Sequence, residues 1–231
     1  MKYFYDGADP SELEDAVNKG CISGVTTNVN FVVDYAAKNS IKSYFEAIMP
    51  LYQIAVNQNI NMPFSIQAVG ENSGDLINSA KEIKAKFSDG VKLYVKIPVN
   101  YDNLSAIKYL SSVENMNVNA TCITSFLQAS IACSSGASIL SFFWGKMTDE
   151  GIDPIDHVKS LKKFITANNY KSEILCGSIR QSRVIHEAFM AGADILTLPY
   201  PYFSKISQRK KSDEATEIFN KSWTSSNMNL I

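Results

Sequence analysis

Eight short β-rich runs, separated by segments with helical spacing, constrain this 231-residue chain more than anything else in it. The runs are KYFYD (2–6), SGVTT (23–27), FSIQAV (64–69), LYVKIPV (93–99), VNATCI (118–123), SILSFF (138–143), EILCGS (173–178) and ADILTLP (193–199). Between them, stretches such as SELEDAVNKG, SGDLINSAKEIKAKF, DNLSAIKYLSSV and SRVIHEAFMAG carry apolar residues at i, i+3 and i+4, the pattern of helices with one buried face. Asp9 with Pro10 is a start signal for the first helix, and the glycine of AGAD stops the helix before the eighth run. Strands alternating with helices imply βαβ units and a parallel sheet. Eight such units in this length fit a (β/α)8 barrel, which typically takes about 250 residues. An open doubly wound sheet is the rival architecture, but no GxGxxG-type phosphate loop follows the first run. With no low-complexity segment and no dividing linker, the expectation is one domain over 1–231 with a C-terminal helical tail.

Within the fourth run, Lys96 interrupts an otherwise apolar segment. Burying an ammonium costs several kcal/mol unless it is paired or loses its proton. Strand residues alternate faces, so Lys92, Tyr94, Lys96 and Pro98 point one way while Leu93, Val95, Ile97 and Val99 point the other. The aliphatic set belongs between barrel and helices. Lys96 is therefore expected to face the barrel interior, close to the C-terminal mouth where barrel active sites are built, with Lys92 near the opposite end. Asp6, Thr26, Thr27, Asn28, Gln67, Asn119, Thr121, Ser141 and Ser178 fall at or near other strand ends. A lysine ringed by such groups has its pKa lowered, and the neutral amine attacks a carbonyl to form a Schiff base.

Composition removes other classes. The net charge is −1 and the 22 basic residues are dispersed apart from SQRKKSDE at 207–214, which reads as a solvated segment and not as a nucleic-acid surface. No apolar stretch approaches the ~20 residues needed to span a bilayer. MKYFYDGADP lacks the apolar core of a signal peptide, and the four cysteines form no CxxC pair, which together point to a reduced cytosolic setting. Two histidines, His157 and His186, give little material for a Ser/His triad or a zinc site, so neither metal nor cofactor is expected. Glu12, Glu14 and Asp15 read as a solvated helix face.

The motifs FYDGAD (4–9), GVTTN (24–28), VKIPV (95–99), VNATCITSFLQA (118–129), SFFWGKMTD (141–149) and GSIRQ (177–181) occur in an order that resembles the small transaldolases and fructose-6-phosphate aldolases, Schiff-base enzymes on (β/α)8 barrels. The resemblance implies that Lys96 forms the Schiff base and that Asp6 takes part in proton transfer during C–C cleavage. It implies donor binding and lysine orientation by Thr26 and Asn28, and a catalytic water held by Gln67. It lines the dihydroxyacetone site with Asn119, Thr121 and Ser141, Thr121 holding the water that shuttles the proton. Phe143 falls where the transaldolases have Phe and the aldolases Tyr. Lys146, Ser178 and Arg180 match a group that grips the sugar phosphate, with Lys146 in place of an Arg.

The chain departs from the family pattern at Val29 (usually Pro), at Ser141-Phe142-Phe143 (usually SPF), at Thr124 and at Trp144. Gln67 is the aldolase choice and Phe143 the transaldolase choice. The physical reading favours the transferase, since without a tyrosine hydroxyl the enamine waits for an aldehyde acceptor. The rivals are an aldolase releasing dihydroxyacetone, a variant acting on a C6-sulfonated sugar, and a non-catalytic barrel. The resemblance also implies a ring-like homo-oligomer, a pentamer or decamer, in which the tail packs on a neighbour through Phe219 and Trp223.

Overall fold

A computed structural model describes residues 1–58, 61–205, 209–226 and 228–229. The strands are β1 (Lys2–Asp6), β2 (Val25–Thr26), β3 (Met62–Gln67), β4 (Val91–Pro98), β5 (Asn117–Ile123), β6 (Ile139–Phe143), β7 (Glu173–Gly177) and β8 (Ile195–Leu198). All pair in parallel, each with its sequence neighbours, and β8 returns to β1 to close the barrel. The helices are α1 (Pro10–Asn18), α2 (Val29–Lys38), α3 (Tyr44–Asn57), α4 (Ser73–Phe87), α5 (Leu104–Ser112), α6 (Phe126–Ser134), α7 (Trp144–Asp149), α8 (Pro154–Ala167), α9 (Arg183–Ala191), α10 (Tyr200–Ser204) and α11 (Lys210–Thr224). The expected (β/α)8 barrel is thus the observed one. It differs in detail: two helices instead of one follow β2, β6 and β8, and β2 is only two residues long.

The helix starts follow the signals in the chain. Asp9 caps α1 by accepting from the Ser11 amide with Pro10 in the first turn, and Gly192 ends α9 in the left-handed conformation that its missing Cβ allows. The main core lies between the strands and the helices, where Val95 and Ile97 of β4 are fully buried beside Ala80, Ile83 and Ile107. A second, separate cluster of Phe4, Tyr94, Ile139, Leu175 and Ile195 fills the inside of the barrel. Each member shares inward parity with the residue two positions further along its strand, which is polar in four cases (Asp6, Lys96, Ser141 and Thr197) and is Gly177 in the fifth. The interior is therefore an apolar plug below and a polar chamber above. Lys92 emerges at the opposite end, where its Nζ lies 5.3 Å from the centre of the Tyr94 ring.

Two surface expectations change. Glu12 and Asp15 are not simply solvated, since Tyr5 donates to Glu12 at 2.9 Å and Tyr200 donates to Asp15 at 2.8 Å, tying α1 to β1 and α10. The charged run at 207–214 supplies the start of α11, where Lys211 pairs with Glu214; its first two residues lie outside the described set, as do Leu230 and Ile231 of the apolar tail. All four cysteines are free, with Cys133 and Cys176 buried. Among the described residues no helix is long and apolar enough to cross a membrane.

Candidate active site

Lys96 is 6% exposed. β4 carries it to the C-terminal mouth, in register with Gln67 of β3 and Asn119 of β5. Its Nζ donates to the main-chain oxygen of Thr27 at 2.7 Å. Burial lowers its pKa below the ordinary 10.5, and the opposing pull of the Asp6 charge and of Cys122 does not cancel that effect. Asp6, half-buried, is pushed the other way: desolvation raises it above 3.8, against the Lys96 charge and a hydrogen bond from Thr26 at 2.8 Å. One group becomes easier to deprotonate and its partner easier to protonate, the condition for exchanging protons with a bound molecule near neutral pH.

A cavity of about 250 Å³ opens over this pair. Of the residues expected at the site, it brings together Asp6, Thr26, Asn28, Lys96, Thr121, Ser141, Phe143, Lys146 and Ser178. Asn119 lies just beneath: it accepts from Ser141 at 2.6 Å and donates to Ser65 at 3.2 Å, making a fully buried bridge across β3, β5 and β6. Asn28 caps α2 through the Phe31 amide, so the same side chain starts a helix and forms part of the wall. The Thr121 hydroxyl is buried without a hydrogen-bond partner among the described residues. Such an orphan on a cavity wall suits a water or a substrate hydroxyl.

Two expected residues stand apart. Gln67 is beside Lys96 in register but does not line the cavity, and its main-chain oxygen accepts from Tyr44 at 3.0 Å. Arg180 is half-exposed and its Nη1 is bonded to Asp149 at 2.5 Å, outside the cavity wall. The close approach of α7 to this strand end depends on Gly145, because a Cβ there would come within 2.4 Å of the Ser178 oxygen and 3.0 Å of the Arg180 Nε.

Other wall residues escaped the sequence reading: Asn30, Phe31, Leu175, Gly177 and Thr197. Thr197 could have been found by counting inward parity along ADILTLP. The charge interaction of Cys122, off the wall, with Lys96 could not, since Cys122 takes a left-handed backbone (φ 61°) at an irregularity of β5, which breaks the strict alternation on which such counting rests.

A desolvated lysine and a raised carboxylate over the C-terminal mouth of a parallel barrel make the arrangement of an enzyme. A family model described as Transaldolase/Fructose-6-phosphate aldolase matches residues 3–230. Similar proteins include a "Probable transaldolase" of Thermoplasma volcanium, 32% identical over 225 residues and covering 96% of this chain and 95% of that protein. Another is a "Probable transaldolase" of Coprothermobacter proteolyticus, 30% identical with 97% of both chains covered. A solved structure, a cube-shaped, highly porous cage designed by fusing symmetric oligomeric domains, matches with a TM-score of 0.55 at 13% identity, over 96% of this chain and 77% of that one, a likeness of fold alone. The chain belongs to the transaldolase/fructose-6-phosphate aldolase family. It is in general function an enzyme of the aldolase and transaldolase kind.

Proposed function

We propose that this chain, as one barrel domain, is a transaldolase that moves a dihydroxyacetone unit from a ketose phosphate, fructose 6-phosphate or sedoheptulose 7-phosphate, to an aldose phosphate through a Schiff base on Lys96. The observation that carries the reading is the burial of Lys96 in a polar chamber beside Asp6. The neutral amine adds to the ketose carbonyl at C2, and loss of water leaves an iminium. Asp6 then takes the proton of the C4 hydroxyl, the C3–C4 bond breaks, and its electron pair neutralises the iminium to give an enamine. The first aldose leaves. The enamine adds to the aldehyde of the second, and the steps reverse to free the lysine.

Thr121, with its unpartnered hydroxyl, holds the water of these proton transfers. Asn119 and Ser141, already joined to one another, receive the three-carbon unit. Asn28 and Thr26 orient the donor, while Lys146 and Ser178 face the phosphate end of the cavity. Arg180 joins them by exchanging Asp149 for the phosphate, a stronger, charge-assisted partner. Phe143 on the wall supports transfer over release, because it offers no hydroxyl to protonate the enamine. Gln67, set back from the wall, favours the second reading, an aldolase that frees dihydroxyacetone; a sugar bearing a C6 sulfonate is a further substrate for either. The chemistry as written uses no metal or cofactor, and we place the enzyme in the cytosol.

We also propose a ring-like homo-oligomer, a pentamer or decamer. Against the described residues helix α11 buries none of its own, and it leaves Ile218, Phe219 and Trp223 exposed, which supports its packing on a neighbouring copy.

The test is incubation with fructose 6-phosphate, with and without erythrose 4-phosphate, followed by borohydride and mass measurement of the intact chain and its peptides. A three-carbon adduct on the Lys96 peptide, with turnover only when the aldose is present, is the expected result. Release of dihydroxyacetone without acceptor would make the enzyme an aldolase. No adduct with any phosphate or sulfonate ketose would overturn the lysine mechanism.

A further inference from the structure

The hydrogen-bond chain that starts at Asp6 continues past Thr26. Thr26 Oγ1 donates to Asp6 Oδ1 at 2.8 Å and also lies 2.6 Å from Thr197 Oγ1. A threonine hydroxyl has one hydrogen to give, and an ionised carboxylate only accepts. With the Thr26 hydrogen committed to Asp6, the hydrogen in the second contact comes from Thr197. While Asp6 is charged the chain therefore runs one way, from Thr197 to Thr26 to Asp6. Thr26 and Thr197 are buried, Asp6 is half-buried beside them, and Thr197 is held on β8 in register with Phe4 of β1. Bare backbone at Gly177 of β7 leaves room for the Thr197 methyl, since a Cβ there would come 3.1 Å from its Cγ2.

We infer that Thr197 is a positioning residue for Asp6 that acts through Thr26, holding the Thr26 hydroxyl as a fixed donor to the carboxylate during proton transfer. The inference rests on the reading of Asp6 as the group that takes the sugar proton. A donor bond favours the carboxylate over the neutral acid, and hydrogen bonds in series polarise one another. Without the Thr197 hydroxyl, the Thr26 hydroxyl turns more freely and donates more weakly, so Asp6 protonates at a higher pH. The other titratable groups facing this corner are Lys96 from β4, Cys122 of β5 beside it, and Lys146 from α7, all of which remain in Thr197 variants.

The experiment compares wild type with Thr197→Val, Thr197→Ala and Thr197→Ser in the pH dependence of kcat for cleavage of fructose 6-phosphate in the presence of erythrose 4-phosphate. In kcat the lysine is already bound to substrate, so the acidic limb reports the carboxylate. Removal of the hydroxyl should move that limb up by about half a pH unit, and Thr197→Ser should restore the wild-type midpoint. A midpoint does not depend on how much of a sample is folded, and Val and Ala fail differently in packing, so either variant carries the test. Limbs of Val and Ala coincident with wild type, or a Ser variant shifted as far as they are, would overturn the role of Thr197. Borohydride trapping of wild type separates the two readings: no adduct on Lys96 sinks the Schiff-base mechanism itself, and the role of Thr197 in it, whereas an adduct with unshifted limbs sinks the role of Thr197 alone.

Discussion

Lys96 Nζ and the main-chain oxygen of Thr27 are 2.7 Å apart, so the end of β4 is tied to the chain leaving β2 through the amine that the proposed function makes the nucleophile. A neutral amine held by one of its hydrogens keeps its lone pair free, and its direction is fixed by the neighbouring strand. Because burial lowers Lys96 below 10.5, the amine stays reactive at pH values where an exposed lysine is almost wholly protonated. The rate of borohydride-trapped adduct formation should reach half its maximum well below pH 10.5 and fall tenfold per unit only beneath that midpoint. A half-maximum at the ordinary lysine value would mean that the chamber does not desolvate it.

The same burial weakens the fold. A lysine whose folded pKa lies below its unfolded value leaves the unfolded chain binding more protons, so its destabilising effect grows as pH falls from the unfolded pKa towards the folded one and is absent above both. Asp6, raised in the folded state, destabilises above its unfolded value of 3.8, and the effect disappears as pH falls below that value. At pH 7 the double variant Lys96→Met, Asp6→Asn should be more stable than wild type by about 1–4 kcal/mol. Lys96→Met alone should be less stable than the double variant, because it leaves the carboxylate without a cation. Urea titrations of the three proteins check the order.

Asn119 bonds two buried hydroxyls, Ser65 inside the barrel and Ser141 at the cavity wall. Replacement by Ala leaves both without that partner and should cost about 2–4 kcal/mol in thermal unfolding. Asn119→Ala that melts with wild type would show that the two serines find other partners.

At the rim, the proposed function has Asp149 and a substrate phosphate compete for Arg180. A half-exposed ion pair is worth only about 0–1 kcal/mol, so the phosphate displaces the carboxylate at little cost. Asp149→Asn should lower KM for fructose 6-phosphate several-fold and leave KM for unphosphorylated fructose unchanged. Equal effects on the two sugars would remove Arg180 from phosphate binding.

Gly145 permits contact between backbone and backbone. A Cβ at this place meets the Ser178 main-chain oxygen at 2.4 Å, a contact that no side-chain rotation relieves. Gly145→Ala should push α7 away from β7, cost about 1–3 kcal/mol, and raise KM for phosphorylated donors through Lys146 and Ser178. Unchanged stability and KM would show that the rim yields without loss.

The barrel was legible in the chain because its two periods differ so clearly: runs such as LYVKIPV alternate at two, and SGDLINSAKEIKAKF repeats near 3.6. Inward parity then led directly to Lys96, Asp6, Thr26, Asn119 and Ser141, because a strand leaves a side chain only two faces. Three things stayed hidden. Where an end loop sends a long side chain is a matter of competition among partners, and Arg180 went to Asp149. How far a residue stands back from a wall depends on its neighbours, and Gln67 is set back. The direction of the Thr197–Thr26–Asp6 chain is a property of three strands at once, so no single segment could display it.

Closure of the barrel has a further consequence. The pairing of β8 with β1 completes the wall around Lys96. In a barrel opened at that seam, Lys96 is expected to be a hydrated amine of ordinary basicity, almost entirely protonated at neutral pH and poor at capturing carbonyl compounds. On the proposed mechanism, reactivity towards a ketose therefore comes and goes with topological closure, and a copy that traps a sugar is a copy whose barrel is shut.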